Sequence, residues 1–432
     1  MKLNWFSPIP PAQTGIAEYT MRLLPILTNY AEVLVWTDEP KWNLDIEKYA
    51  KVRQYNLASV PWKEINQADL NIYHIGNNSN FHYQIWQISK QCPGLVILHD
   101  CRLQHFFAGI YREKHNDWQI YASYMKQYYG VEGEQASLRF WNGDLTTEYM
   151  AEYYPLTFLA LENAVGVVTH TKEVFQKILK HKNRWVVGYA PLPYVSKWQG
   201  TRNGKVITPP YRLIIFGYLG SNRRLEVFLK ALSNLSEKNQ FRLDIYGQVW
   251  DKNYICHQIQ QLGLTNLVKL HGFVEEAKLD SALANAHLAI NLRYPTMGEA
   301  SVSQLRIWSH ALPSLVTQVG WYAEQSESTV AFVRPDHEIE DIQQHLKNFL
   351  ANPLDFSHLG ENGWQLLQDY HNLENYSQAI IDIAKKSGKF RHTTIAYSFA
   401  DKIGEELSNW INYERVDMDI RGVAQAIHFI ST

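Results

Sequence analysis

Two series of short apolar runs, each alternating with amphipathic stretches, dominate the chain. In the first series KLNWF (from Lys2), EVLVW (from Glu32), LNIYHI (from Leu70), LVILHD (from Leu95) and GVVTH (from Gly166) read as buried strands. A Pro/Gly loop, SPIPPAQTG, follows the first of them and leads into a helix, IAEYTMRLLPIL. In the second series YRLIIFG, FRLDIYG, LVKLHGF, LAINLR and PSLVTQ read as strands. The helical stretches between these strands are RLEVFLKALSNL, YICHQIQQLG, KLDSALANA and SVSQLRIWSHAL. Apolar strands joined by crossover helices predict parallel sheets of βαβ units. Two such series predict an α/β chain of two Rossmann-like, doubly wound domains.

The segment GTRNGKVITPP, residues 200–210, clusters Gly, charge and Pro and marks the linker. The expected domains are residues 1–203 and 204–385. A polar, aromatic and mostly helical insertion is expected at about 113–154. Amphipathic helices are expected near 339–350 and 376–385, and residues 386–432 read as a helical tail that returns to the first domain. With 432 residues, 46% hydrophobic and 19% charged, each domain can bury a core. The net charge of -2 supplies no global basic field for nucleic acid. The three cysteines, Cys92, Cys101 and Cys256, are odd in number and widely spaced, which argues against a disulfide scaffold. The N-terminus has no apolar h-region, and no apolar run approaches the ~20 residues of a membrane span. The chain is therefore expected to be cytoplasmic, at most touching the inner face of a membrane.

Two segments carry the chemistry in the second half. FGYLGSNRR puts Gly217 and Gly220 between a strand and a helix, with Arg223 and Arg224 at the first helical turn. A helix N-terminus carries about +0.5 charge, and each arginine adds charge-assisted hydrogen bonds, so a diphosphate suits this turn. A solvated turn with two surface arginines is the plainer reading. In LRYPTMGEASVSQLRIW a loop precedes a helix that starts near Ser301, leaving Gly298, Glu299, Ala300 and Ser301 where backbone N–H groups are unpaired by the helix. They suit a phosphate, with Glu299 accepting from sugar hydroxyls; Ser301 reads equally as an N-cap. In the first half, His99 and Asp100 end a buried strand, where ligands gather in open α/β sheets.

Together these segments resemble glycosyltransferase family 4, the retaining transferases of the GT-B fold, and its polysaccharide-assembling branch in particular. The resemblance runs over nearly the whole chain. FSPIPPAQTGIAEY resembles the glycine loop after the first strand, YHIGNNSNFH and LVILHD the acceptor-side motifs, FGYLGSNRRLEVFLKAL the phosphate-clamping turn, LVKLHGFV the base-binding strand and loop, and PTMGEAS the donor-sugar motif. It implies two domains facing across a cleft. It also implies a donor set of Gly15, Gly217, Arg223, Arg224, Gly247, Phe273, Val274, Gly298, Glu299, Ala300 and Ser301. His99, Asp100, Arg224 and Glu299 would be catalytic, and Asn77, Asn78, His82 and His170 would orient the acceptor. For Gly15 a plain turn, and for each histidine a structural hydrogen bond, is the alternative. The implied reaction moves a hexose from a UDP-sugar, with UDP-glucose as the expected donor, to a polysaccharide or lipid-linked saccharide, as in exopolysaccharide assembly, without a metal or other cofactor.

One departure stands out. Many family members carry a second glutamate eight residues after the first to hold the ribose, and this chain has Arg306 and Ile307 at the seventh and eighth positions after Glu299. Glu324 is the substitute candidate. HDCRLQH matches no zinc spacing, and Asp417 and Asp419 form an isolated D-x-D in the tail. Two rivals use the same fold: a sugar-nucleotide epimerase, which needs carboxylates around the inverted carbon, and a catalytically silent binding subunit, which would tolerate loss of His99 or Arg224.

Overall fold

The computed structural model describes residues 1–181, 185–195 and 208–414; the side chains of residues 398, 401, 402 and 405–414 are outside the description. Most of the expected linker, and Asp417 and Asp419, lie outside the described residues. Contacts divide the chain into two units, Met1–Pro191 with the segment from Glu374 onward, and Leu192–Leu373. The expected boundaries lie further along the chain in both places. The reason is local bonding. Tyr194 N–H donates to the His371 carbonyl at 2.8 Å and His371 Nδ1 bonds the Leu192 carbonyl at 2.7 Å, which ties 192–195 into the second unit. Tyr376, only a few residues later, is already bonded within the first unit, accepting from the Tyr19 hydroxyl at 2.7 Å.

The first unit holds β1 (Lys2–Phe6), α1 (Gly15–Leu27), β2 (Glu32–Thr37), β3 (Lys51–Gln54), α2 (Trp62–Ile65), β4 (Leu70–Ile75), α3 (Ser79–Gln91), β5 (Gly94–Leu98), α4 (Gln104–Ala108), a π-helical turn (Gly109–Lys114), α5 (Trp118–Trp141), α6 (Thr147–Tyr153), β6 (Ala164–Thr169), α7 (Lys172–Leu179) and β7 (Val186–Tyr189). Its sheet is parallel, in the order β3-β2-β1-β4-β5-β6-β7. Strands β4, β5 and β6 are buried along their whole length, as strands covered on both faces must be. Helix α1 buries Ala17, Thr20, Leu24 and Leu27 on one stripe. Helices α5 and α6 and the π turn occupy the stretch expected to be a helical insertion, with a break at Gly130.

The second unit holds β8 (Tyr211–Phe216), α8 (Leu225–Ser233), β9 (Phe241–Tyr246), α9 (Lys252–Gln261), β10 (Val268–Gly272), α10 (Glu276–Asn285), β11 (Leu288–Asn291), α11 (Val302–Ser309), β12 (Ser314–Thr317), α12 (Gly320–Ala323), β13 (Ala331–Val333), α13 (Glu338–Ala351) and α14 (Pro353–Tyr370). Its parallel sheet runs β10-β9-β8-β11-β12-β13. Both sheets therefore reverse direction beside their first strand, between β1 and β4 and between β8 and β11. That reversal opens a crevice at the carboxyl ends of the strands, where ligands bind in such sheets.

Helix α15 (Leu373–Glu414) is continuous where the sequence suggested a helix near 376–385 and a separate tail. It lies against β6 and β7 where two glycines admit it. A Cβ at Gly188 would fall 2.1 Å from Ile383 Cδ1, and one at Gly166 2.3 Å from Ser387 Oγ. Among the described residues no helix is long and apolar enough to cross a membrane.

Candidate active site

In the second unit the crevice between β8 and β11 is spanned by one side chain. Arg223 sits in a short 3-10 turn, Ser221–Arg223, and is only 6% exposed. Its Nη2 donates to the Phe216 carbonyl at 3.3 Å, the end of β8, and to Asn291 Oδ1 at 2.9 Å, the end of β11. Its Nε is buried without a partner among the described residues. Asn291 is held in turn: its Nδ2 donates to Gln304 Oε1 at 2.9 Å, and Gln304 Nε2 to Ser314 Oγ at 2.7 Å. Burial, reinforced by the neighbouring Arg293 charge, pushes the Arg223 guanidinium down to about 10. It remains a cation at neutral pH. The oxygens it bonds are neutral, and the negative charge that favours it is that of nearby Glu299, which Arg293 already engages.

Arg224, next in the chain, has a different fate. It adopts a left-handed conformation with φ 55 at the start of α8, and its Nε lies 3.0 Å from both Glu338 carboxylate oxygens. Glu338 begins α13 and is buried. The charge of Arg224 is thus neutralised in place, and Arg223 is the residue with charge to offer an anion.

The loop after β11 forms the opposite wall. Glu299 accepts from the Arg293 guanidinium, from the Thr296 hydroxyl at 2.9 Å and from the Met297 N–H at 2.7 Å. Burial alone would raise the Glu299 pKa, but Arg293 and these donors outweigh it and hold the carboxylate below its usual range. Glu299 is therefore a fixed anion that braces its loop. Ser301 is the N-cap of α11: its Oγ accepts from Gln304 N–H at 3.1 Å and from the Tyr322 hydroxyl at 2.8 Å. Gly298, with φ 79, and Ala300 complete the approach to the helix. Tyr294 N–H donates to the Asn222 carbonyl at 2.8 Å and joins this loop to the Arg223 turn.

Gly217, Gly247 and Gly272 follow or end the adjacent strands β8, β9 and β10, and all have positive φ. They serve different ends. Nothing lies within 4 Å of a Cβ built on Gly217, which leaves its turn open to a ligand. A Cβ on Gly247 would fall 2.0 Å from the Gly217 carbonyl oxygen, so Gly247 lets the two turns pack. Exposed aromatics follow each strand end along this edge: Tyr218, Trp250, Phe273 at 86% and Tyr294. Val274 instead packs against the cluster of Ile214, Phe216 and Ile307. That burial also accounts for the missing second glutamate. Ile307 is core, and Arg306 is turned to Asp280, with Nε and Nη2 3.0 and 2.6 Å from Oδ1. Glu324 ends α12 and is half-buried.

In the first unit Gly15 opens α1, capped by Thr14, and is exposed. Asp100 Oδ2 accepts from Asn77 N–H at 2.8 Å, and Asn77 Oδ1 accepts from Phe106 N–H at 3.0 Å, so Asn77 ties two loops together. Asn78 is the N-cap of α3. His82 and His170, expected to orient an acceptor, lie within the fold at 1% and 3% exposure, donating Nδ1–H to the carbonyls of His74 at 2.9 Å and Ala190 at 3.0 Å. A carbonyl oxygen only accepts, which fixes both as Nδ1–H tautomers. His99 remains half-buried beside them. His74 was not singled out from the sequence, although it is the one histidine in the apolar run LNIYHI; Asn291, Gln304, Arg293, Tyr322 and Glu338 had no such signal. Among the described residues no group of three or more His, Cys, Asp or Glu side chains is placed to hold a metal.

Burial pushes His82 and His170 down to about 4, below the ordinary histidine value. The unfolded chain then binds more protons than the folded one between about pH 6.5 and pH 4, so stability falls as pH drops through that window. Urea unfolding should show a loss of several kcal/mol from pH 7 to pH 4.5. His170→Gln should flatten this slope, and an unchanged slope would contradict the buried neutral state.

Residues 201–366 match the family described as Glycosyl transferases group 1. No curated protein matches the sequence. Among solved structures, HepE from Anabaena in complex with UDP and glucose is similar at TM-score 0.59 and 13% identity, covering 89% of this chain and 100% of that one. Sucrose-phosphate synthase from Thermosynechococcus elongatus is similar at TM-score 0.59 and 14% identity, covering 89% and 98%. WaaG, a glycosyltransferase involved in lipopolysaccharide biosynthesis, is similar at TM-score 0.54 and 15% identity, covering 89% and 99%. The chain thus has the α/β GT-B fold of glycosyltransferases. Most of the second unit lies within the residues that match that family.

Proposed function

We propose that the protein is a retaining, metal-independent glycosyltransferase of the family 4 type, taking a hexose from a nucleotide diphosphate sugar, with UDP-glucose as the first donor to test. The observation that carries this reading is Arg223: a buried cation bonded only to neutral oxygens, spanning the β8–β11 crevice. Burying a cation with no carboxylate bonded to it is costly, and a bound diphosphate would offset that cost. The open side of Gly217 and the N-terminus of α11 offer room and further N–H donors. UDP or a UDP-sugar is bound in the HepE structures, which supports the same donor class here.

As the sugar–phosphate bond breaks, negative charge builds on the diphosphate. Arg223 and the α11 N-terminus would already face that charge, and preplaced donors of this kind are usually the largest catalytic contribution. The acceptor hydroxyl would attack from the face the leaving group departs, with a phosphate oxygen taking its proton. The acceptor class proposed is a saccharide or lipid-linked saccharide, with His99 and Asp100 on the acceptor side.

Calorimetry with UDP, GDP, ADP and their glucose conjugates in EDTA, followed by NMR of the same samples, tests this. One nucleotide should bind without metal, and slow hydrolysis should release the α-anomer first. Absence of binding by all of them would remove the donor site, and release of the β-anomer would remove retention.

A further inference from the structure

Three imidazoles meet at the carboxyl ends of adjacent strands in the first unit: buried His74 on β4, half-buried His99 after β5 and buried His170 after β6. Register places them on one face, since His74 is level with Ile97 and Thr169 with Leu98. The His74 and His99 rings stack at 5.2 Å, and His99 and His170 lie 5.1 Å apart. Trp5, Tyr19 and Tyr376 enclose them. Burial holds His74 and His99 well below the ordinary histidine range, so both are neutral.

His74 Nδ1 and His99 Nε2 are 2.9 Å apart and share one proton. Either His99 donates, which leaves a proton on His74 Nε2, or His74 donates, which leaves that nitrogen bare. His74 Nε2 is buried with no partner among the described residues. A buried N–H without an acceptor is the rarer and costlier defect. The second arrangement also matches His82 and His170, whose carbonyl partners make them Nδ1–H tautomers. With Nε2 accepting from His74, the proton of neutral His99 sits on Nδ1.

We infer that His74 is a positioning residue that locks His99 as the Nδ1–H tautomer, so that His99 meets its ligand as a hydrogen-bond donor rather than as a base. The ligand class that fits is an oxygen acceptor, such as a sugar hydroxyl or ring oxygen; that identity, unlike the tautomer, rests on the transferase reading.

Ring-¹⁵N NMR of the full chain, with His99 assigned from His99→Gln, reads the tautomer directly. The expected spectrum at neutral pH has protonated Nδ1 and bare Nε2 on His99. His74→Asn, whose amide can still donate, should keep it; His74→Leu should shift His99 toward the Nε2–H form. A wild-type His99 carrying its proton on Nε2, or a folded His74→Leu with an unchanged spectrum, overturns the inference. Should His74→Leu fail to fold, the wild-type and His74→Asn spectra decide. Turnover should fall about tenfold in His74→Leu at unchanged donor KM and recover in His74→Asn, the size of one hydrogen bond. Absence of any glycosyl transfer would defeat the functional reading and leave the tautomer result standing.

Discussion

Arg223→Met should weaken donor binding by about two to four orders of magnitude while leaving the melting temperature within about 4 °C of wild type. Two charge-assisted hydrogen bonds to a diphosphate contribute about 1.5–3 kcal/mol each, which sets the size of the binding loss. Stability should barely move for an opposing pair of reasons. Methionine removes a buried cation to which no carboxylate is bonded, which is neutral or stabilising by about 1–4 kcal/mol, but it leaves the Asn291 and Phe216 oxygens short of a donor, at about 1–3 kcal/mol each. Arg224→Ala should behave in the opposite way. It strands the buried Glu338 carboxylate, so it should lower stability more and donor affinity less. Calorimetry and thermal melts on the two variants separate the roles. A donor Kd within threefold of wild type in Arg223→Met would remove Arg223 from the site.

Glu299→Ala should cost about 3–5 kcal/mol, because it leaves the Arg293 guanidinium, 20% exposed, without its carboxylate. For a domain of this size that is a fall of about 10 °C in the unfolding temperature. Glu299→Gln keeps an oxygen for the Met297 N–H and should lose less. The folded pKa of Glu299 lies below that of the unfolded chain. Its stabilisation is therefore full above the ordinary carboxylate range and is lost as pH falls through the lowered folded value. The gap between wild type and Glu299→Gln should therefore close on acidification. A Glu299→Ala protein that melts within 2 °C of wild type, on the same scale of roughly 2–4 °C per kcal/mol, would show that the Arg293 pair contributes little.

Much of the fold was legible in the chain. Strands covered on both faces are written as largely apolar runs, and β1, β2, β4, β5, β6, β8, β9, β11 and β12 stand where those runs lie, as does the edge strand β10, whose residues are half-buried or exposed. The strands not singled out are short or exposed. β3 has one buried residue in four, and β13 is three residues long. Helix α14 was not read from the sequence, because Pro353 and the glycines at 360 and 363 look like breaks. In the fold Pro353 opens the helix, where its missing N–H is harmless. The glycines bring α14 close to the turn after α11: a Cβ would stand 2.2 Å from the Ala311 carbonyl oxygen at Gly360 and 2.1 Å from the Trp308 ring at Gly363.

The candidate site divides in the same way. Local pattern places glycines, arginines and a helix start at strand ends, because turns and caps are made by neighbours in the chain. It cannot separate Arg223 from Arg224, which are adjacent and chemically identical. Asn291, 68 residues away, holds the first inside the crevice, and Glu338, 114 residues away, neutralises the second. Likewise the sequence displays His82, His99 and His170 as equals, and the fold buries two as Nδ1–H donors to carbonyls and turns the third over to His74. A side chain's charge balance and tautomer are set by the partner it meets, and those partners come together only when the strands assemble.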